Sequence, residues 1–126
     1  MRIERFEDIK AWQEARKLVK EVYRVCCVKA FNNDYSLMDQ IRRASVSIMA
    51  NIAEGFSRQG NKEFVQFLFI AKSSAAEVQS HLYVALDQCY IQREDFGQLS
   101  ESLEKTQRQI SNFIKYLKGT FTKKTQ

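Results

Sequence analysis

Residues 36–55 read SLMDQIRRASVSIMANIAEG, and this stretch decides the fold class of the chain. Its apolar residues recur every three or four positions, which is the spacing of one face of an α-helix. They are Leu37, Ile41, Ala44, Ile48 and Ile52. Ser36 is predicted as the N-cap and Gly55 as the residue that stops the helix, because these residue types favour those positions.

The same periodicity predicts three further helices, over residues 8–31, over residues 61–89 and from about residue 93 onward. Proline is absent and glycine occurs four times, which excludes turn-rich all-β chains. Short connections make sequential helices antiparallel, so we predict an all-α fold, an antiparallel up-down-up-down four-helix bundle. The domain is predicted to span residues 1–121, and residues 122–126 are expected to form a disordered polar tail.

Composition excludes several other classes of protein. With 44% apolar residues the chain is too hydrophobic for disorder, and no uncharged apolar stretch of ~18 residues is present to span a bilayer. The start of the chain is rich in charge and carries no secretion signal, so we expect a cytoplasmic protein. Cys26, Cys27 and Cys89 lack zinc-binding spacing and are expected to be small core residues.

The second and third predicted helices are apolar on more than one side. Residues 44–53 contain no charge, and Val46, Phe69, Ile70 and Val84 lie off the main apolar stripes. Helices of this kind are buried on more than one side, which predicts a homo-oligomer built mainly through these two helices. The alternative is a monomer with a broad core.

Positive charge concentrates on the first and last helices. The chain carries a formal net charge of +5, and a basic stripe repeated around an oligomer is typical of polyanion binding. No stacking aromatic residues are predicted among these cations, so we expect binding to the nucleic-acid backbone with little sequence preference. A solvated face is the alternative. The candidate nucleic-acid-binding residues are Arg16, Lys17, Lys20, Arg24, Lys105, Arg108, Lys115 and Lys118.

Arg42 and Arg43 begin a helix that otherwise avoids charge, so at least one of them is expected to need a partner. When the third helix folds back on the second, both arginines come to lie opposite Glu77. This predicts a structural ion pair between Glu77 and one of the two arginines. A contact with a polyanion is the alternative.

No catalytic, metal or cofactor site is predicted. His81 lies one turn after Glu77, but di-metal bundles use Glu-x-x-His from two helices, and this chain has one histidine. A packed or surface histidine is therefore the preferred interpretation. The serines have no base at a recognisable spacing, and no glycine-rich phosphate loop occurs. We expect a protein that is not an enzyme and needs no cofactor.

The block formed by residues 39–48 and 51–55, with Trp12, residues 62–64 and Glu77, resembles the signature of a known family. It is the four-helix-bundle family of 23S rRNA intervening-sequence proteins, and the likeness covers about residues 5–120. The chain departs from it at Met49, where the family usually has proline, which removes an expected kink in the second helix.

The relatives of that family include the accessory variability protein of diversity-generating retroelements, a basic pentameric barrel that binds nucleic acid and a reverse transcriptase. The resemblance implies a ring of five four-helix subunits. We expect a non-enzymatic homo-oligomer that binds RNA or DNA, as an accessory to a reverse transcriptase or to RNA processing. The alternative is a protein–protein assembly or scaffold module with no role on nucleic acid. No membrane partner is expected.

Overall fold

The computed structural model describes the backbone of residues 3–125 and the side chains of residues 3–119. This part of the chain is all-α and contains no strand, which confirms the predicted class. After a 3₁₀ turn at Phe6–Asp8 come five helices. They are α1 (Lys10–Cys26), α2 (Lys29–Asn33), α3 (Tyr35–Phe56), α4 (Asn61–Asp87) and α5 (Arg93–Thr125).

The four long helices α1, α3, α4 and α5 form a four-helix bundle with a square cross-section. Helices α1 and α4 each pack against both α3 and α5. Hydrogen bonds of 2.9 Å between the hydroxyls of Ser47 and Ser74 and of 3.1 Å from Gln79 to Ser100 fix the antiparallel register. The core is built from the periodic apolar stripes and includes the fully buried Leu18, Val22, Ile41, Ile48, Leu68, Leu82, Leu103 and Ile110.

The first predicted helix, over residues 8–31, is broken in the structure. Helix α1 ends at Cys26, and Val28 adopts an extended conformation with a ψ of 131° before the short α2 begins. The break lets Phe31 pack against the end of the core, where it is fully buried and stacks on Tyr90 with the ring centroids 5.5 Å apart. Tertiary packing therefore overrides local periodicity at this point.

The prediction that Ser36 is the N-cap of α3 is wrong. Asp34 caps this helix, because its Oδ1 accepts a hydrogen bond of 3.2 Å from the backbone N–H of Leu37. Its Oδ2 accepts a second bond of 3.0 Å from the hydroxyl of Tyr90, and this bond raises the pKa of Tyr90. The same aspartate thus begins α3 and joins it to the turn after α4.

The expected helix stop at Gly55 is also wrong. Gly55 lies inside α3, without a positive φ, and is buried against α4. A Cβ at this position would lie 2.7 Å from Cδ1 of Phe64 and 2.8 Å from Cβ of Phe67. The glycine is therefore required for the close approach of α3 to α4.

The third predicted helix ends earlier than residue 89, because Cys89 adopts a left-handed conformation with a φ of 62°. The backbone N–H groups of Cys89 and Tyr90 bond to the carbonyls of Leu86 and Ala85, which is the Schellman motif of helix ends. Cys89 and Cys27 are exposed, so the prediction of three core cysteines is correct only for Cys26.

Helix α5 begins at Arg93, as expected, and its backbone continues as far as Thr125. Residues 122–126, the predicted polar tail, lie outside the part of the chain whose side chains are described, and their disorder stays a prediction. Among the described residues, no helix combines the length and the apolar character needed to cross a membrane.

Candidate nucleic-acid interface

The candidate interface follows the seam between α1 and α5. Two ion pairs cross the seam: Lys105 Nζ lies 3.2 Å from Glu14 Oε1, and Arg24 Nη2 lies 3.0 Å from Asp95 Oδ1. On each helix the residues of the two pairs are ten positions apart. The residue numbers increase along α1 in the direction in which they decrease along α5. The seam therefore runs antiparallel along nearly the whole length of α1.

The cations of α1 differ in how they are engaged. Arg24 is the most constrained, since its hydrogen bonds to Glu21 and to Asp95 raise its pKa. Lys17 lies 3.5 Å from Glu14, and the guanidinium of Arg16 lies 5.8 Å from the centre of the Trp12 ring. Lys20 is exposed and forms no ion pair with another described residue.

The cations of α5 divide between two sides of the helix. Lys105 contacts Glu14 on the α1 side, whereas Lys118 lies over the ring of Phe69 of α4 at 5.2 Å. Arg108 and Lys115 are exposed, and neither forms an ion pair within the described side chains. The structure thus separates Lys118, on the α4 side of α5, from the other seven candidates, of which Arg16, Lys17 and Lys20 line the groove between α1 and α3.

We call those seven residues the basic strip; they are Arg16, Lys17, Lys20, Arg24, Lys105, Arg108 and Lys115. From the register of the seam, the strip extends about 30 Å from Arg24 to Lys115 at 1.5 Å per helical residue. Three carboxylates form ion pairs with its cations, those of Glu14, Glu21 and Asp95. Arg16, Lys20, Arg108 and Lys115 form no ion pair with another described residue and are therefore the cations left for an external anion.

The expectation that no aromatic ring accompanies the cations is wrong in three dimensions. Among the described side chains, two candidate cations lie over aromatic rings, Arg16 over Trp12 and Lys118 over Phe69, and so do two other arginines, Arg42 over Tyr23 and Arg58 over Phe67. The pair Arg16 and Trp12 sits beside a groove of about 790 Å³ between α1 and α3. A spacing of four residues on one helix was the sequence signal for this pair.

The predicted ion pair of Glu77 with Arg42 or Arg43 does not form. Arg43 lies 3.1 Å from Asp39 on its own helix, and Glu77 is exposed on α4. Arg42 turns toward α1, where its guanidinium lies 4.7 Å from the ring centre of Tyr23. The pair cannot form because α3 turns its Ser47 side toward Ser74 of α4. Arg42 lies on the side of α3 that faces Tyr23 of α1.

His81 does not form a recognisable catalytic or metal site. Its Nε2 is buried and lies 3.9 Å from the Oε2 of Glu77, outside hydrogen-bonding distance. Within the described residues, no group of three or more His, Cys, Asp or Glu side chains is arranged to hold a metal ion. Ser47 and Ser74 bond to each other, and Asn51 donates to Ser47.

A second surface lies on the outer sides of α3 and α4. Large apolar residues are exposed to solvent there, with an exposed fraction of 44% for Phe69 and 54% for Tyr83. We call this surface the apolar face, and it consists of Val46, Phe69, Ile70, Tyr83 and Val84. Val46, Phe69, Ile70 and Val84 are the residues that the sequence analysis placed off the main apolar stripes, and the single chain leaves them exposed, together with Tyr83.

Comparison with known proteins identifies the family. The sequence model described as 23S rRNA-intervening sequence protein matches residues 7–112, so the chain belongs to that family. A solved structure from Bacteroides thetaiotaomicron has the same fold, with a TM-score of 0.76 and 22% identity over 83% of this chain and 98% of that one. It is described as a protein of unknown function from the S23 ribosomal protein family. No curated protein matches the chain.

Proposed function

From this family membership and the basic strip, we propose that the protein is a non-enzymatic homo-oligomer that binds RNA or DNA through the phosphate backbone. The observation that carries the proposal is that four exposed cations of the basic strip, Arg16, Lys20, Arg108 and Lys115, form no ion pair with a described carboxylate. Cations of this kind attract phosphates without reading the bases, since sequence is read at the base edges.

The oligomer in this proposal is built through the apolar face. Phe69, Ile70 and Val84 leave an apolar patch on one side of a helix whose other side forms the core, and such patches are typical of protein interfaces. A closed ring repeats the basic strip once per subunit, which multiplies the phosphate contacts of one complex. The resemblance to the accessory variability protein suggests five subunits and a reverse transcriptase as a further partner.

The salt dependence of binding tests the proposal. A fluorescently labelled oligonucleotide of about 20 nucleotides is titrated with the protein between about 50 and 200 mM salt. The double variant Lys20→Gln/Arg108→Gln is expected to reduce the salt slope, because each phosphate contact contributes about −0.9 on duplex DNA and about −0.7 on a single strand.

The matched control is Lys62→Gln/Lys72→Gln, which removes the same charge from exposed positions of α4. This control is expected to retain most of the salt slope. Equal losses in the two double variants would contradict a localised strip and indicate a general effect of net charge. If the parent does not bind at about 50 mM salt, the nucleic-acid proposal is wrong.

A second candidate function is a protein-assembly module. The apolar face favours it, because Phe69, Ile70 and Tyr83 could equally contact a different protein. One experiment distinguishes the two functions. If the protein is an assembly module, the Lys20 and Arg108 variants still bind the protein partner, and oligonucleotides do not displace that partner.

A further inference from the structure

A cavity of about 360 Å³ lies between the first turn of α1 and the C-terminal half of α5. Its walls are mainly apolar and include Ile9, Ala11 and the ring of Phe113. Polar groups enter it at Lys10, Gln109 and Asn112. Its volume and composition are those of a site for a small, largely apolar group with a few hydrogen bonds.

Gln109 carries an unsatisfied amide in this cavity wall. Its Oε1 is buried and has no hydrogen-bond partner in the described part of the chain. The two ends of a glutamine amide can be exchanged by a flip, so either an acceptor or a donor is left unpaired. Buried polar groups are nearly always paired. Because Oε1 has no accessible surface in this structure, a bound group would supply the missing hydrogen bond after the Gln109 side chain rotates toward the cavity that it lines.

Among the described residues, one cation lines the cavity and two more lie near it on α5. Lys10 lines it directly, while Lys105 and Arg108 stand on α5 within one turn of Gln109. Phe113 contacts the ring of the exposed Tyr116, which also lines the cavity, with the centroids 6.3 Å apart. The site thus combines the exposed ring of Tyr116, amides and cations, which suit a flat base, its polar edge and the adjacent phosphates respectively.

We infer that this cavity receives an unstacked base of a single-stranded nucleic acid, with the base edge on the amide of Gln109 and the neighbouring phosphates on Lys10 and Arg108. The inference rests on the proposed function and adds to it a preference for single strands. A base inside a duplex cannot reach the cavity without leaving its stack. An amide pairs well with a base edge that presents a donor beside an acceptor, as adenine does.

The test compares a single-stranded oligonucleotide with a duplex of the same sequence and length, using the full chain. The parent is expected to bind the single strand about tenfold more tightly, within the range measured for one stacked base. Gln109→Leu is expected to remove most of this preference and to leave duplex binding unchanged. The substitution keeps the size of the side chain and removes the unpaired group, so folding is expected to be retained.

Gln98→Leu is the matched control, because it makes the same change at an exposed position of α5 outside the cavity. A 2-aminopurine base in the strand supplies a direct signal, since its fluorescence changes when it leaves the stack; this change is expected for the parent and lost in Gln109→Leu. Equal affinity for single strand and duplex, or a preference that Gln109→Leu does not alter, would overturn the inference and leave the proposed function standing. Failure to bind either oligonucleotide would overturn both.

Discussion

Gly55 fits the sequence pattern of a helix stop, but its role in the structure is to allow two helices to pack closely. A glycine near the end of an apolar repeat is typical of a helix stop, but here it allows Phe64 and Phe67 of α4 to approach the backbone of α3. At the start of α3 the sequence analysis predicted Ser36 as the N-cap, but Asp34 holds that position, and both residue types favour it. Sequence gives the candidates at such positions, and only the packing decides between them.

Gly55→Ala is expected to destabilise the protein by about 1–3 kcal/mol, the usual cost of overpacking. The new Cβ meets side-chain atoms of Phe64 and Phe67 at 2.7 and 2.8 Å, which outweighs the better helix propensity of alanine, about 1 kcal/mol. Gly97→Ala on α5 is the control, because nothing lies within 4 Å of its Cβ, and it is expected to stabilise the fold. Urea denaturation measures both, and a more stable Gly55→Ala variant would refute the close approach.

At the scale of the elements, periodicity predicted the four long helices and their burial well, because each helix needs an apolar stripe facing the core. It failed at residues 27–28, where the turn before α2 depends on Phe31 finding a place against Tyr90. It also failed for Glu77, because a rough alignment of two antiparallel helices does not determine which side of α3 each arginine occupies. The spacing of residues along one helix does not determine how they are placed against residues of another helix.

At the seam between α1 and α5, removal of the Glu14 carboxylate is predicted to strengthen oligonucleotide binding. Glu14 is largely buried, with 12% of its side chain exposed, and it lies within 3.5 Å of both Lys17 and Lys105. Glu14→Gln is expected to free both lysines and so to raise oligonucleotide affinity and steepen the salt slope. Because both lysines are mostly exposed, the change in stability is expected to stay within about 1 kcal/mol.

The control for Glu14 is Glu63→Gln, which makes the same charge change on α4, away from the seam. Fluorescence anisotropy at several salt concentrations measures both variants. A general charge effect would raise the affinity of the two variants equally. A greater gain in Glu14→Gln is the result expected of a local release of Lys17 and Lys105.

For the whole molecule, the surface proposed for assembly and the surface proposed for nucleic-acid binding lie on different helices. The apolar face lies on α3 and α4, whereas the basic strip lies on α1 and α5. These pairs of helices occupy opposite sides of the square bundle. If subunits meet through α3 and α4, as proposed, the basic strip of each copy stays accessible, so the proposed assembly and the proposed nucleic-acid binding would not compete for surface.

This arrangement predicts that loss of assembly weakens binding without any change in the basic strip. Ile70→Lys/Val84→Lys places two charges in the apolar face and is expected to lower the mass in light scattering from a multiple of 14.8 kDa to that of one chain. The control Gln59→Lys/Gln88→Lys adds the same charge at exposed turn positions and is expected to keep the parent mass. Because the single subunit offers one strip instead of several, its salt slope is expected to be shallower than that of the control, despite an equal net charge per chain. A parent that already has the mass of one chain would refute the oligomer, and a single-chain variant with the parent's salt slope would show that one strip is sufficient.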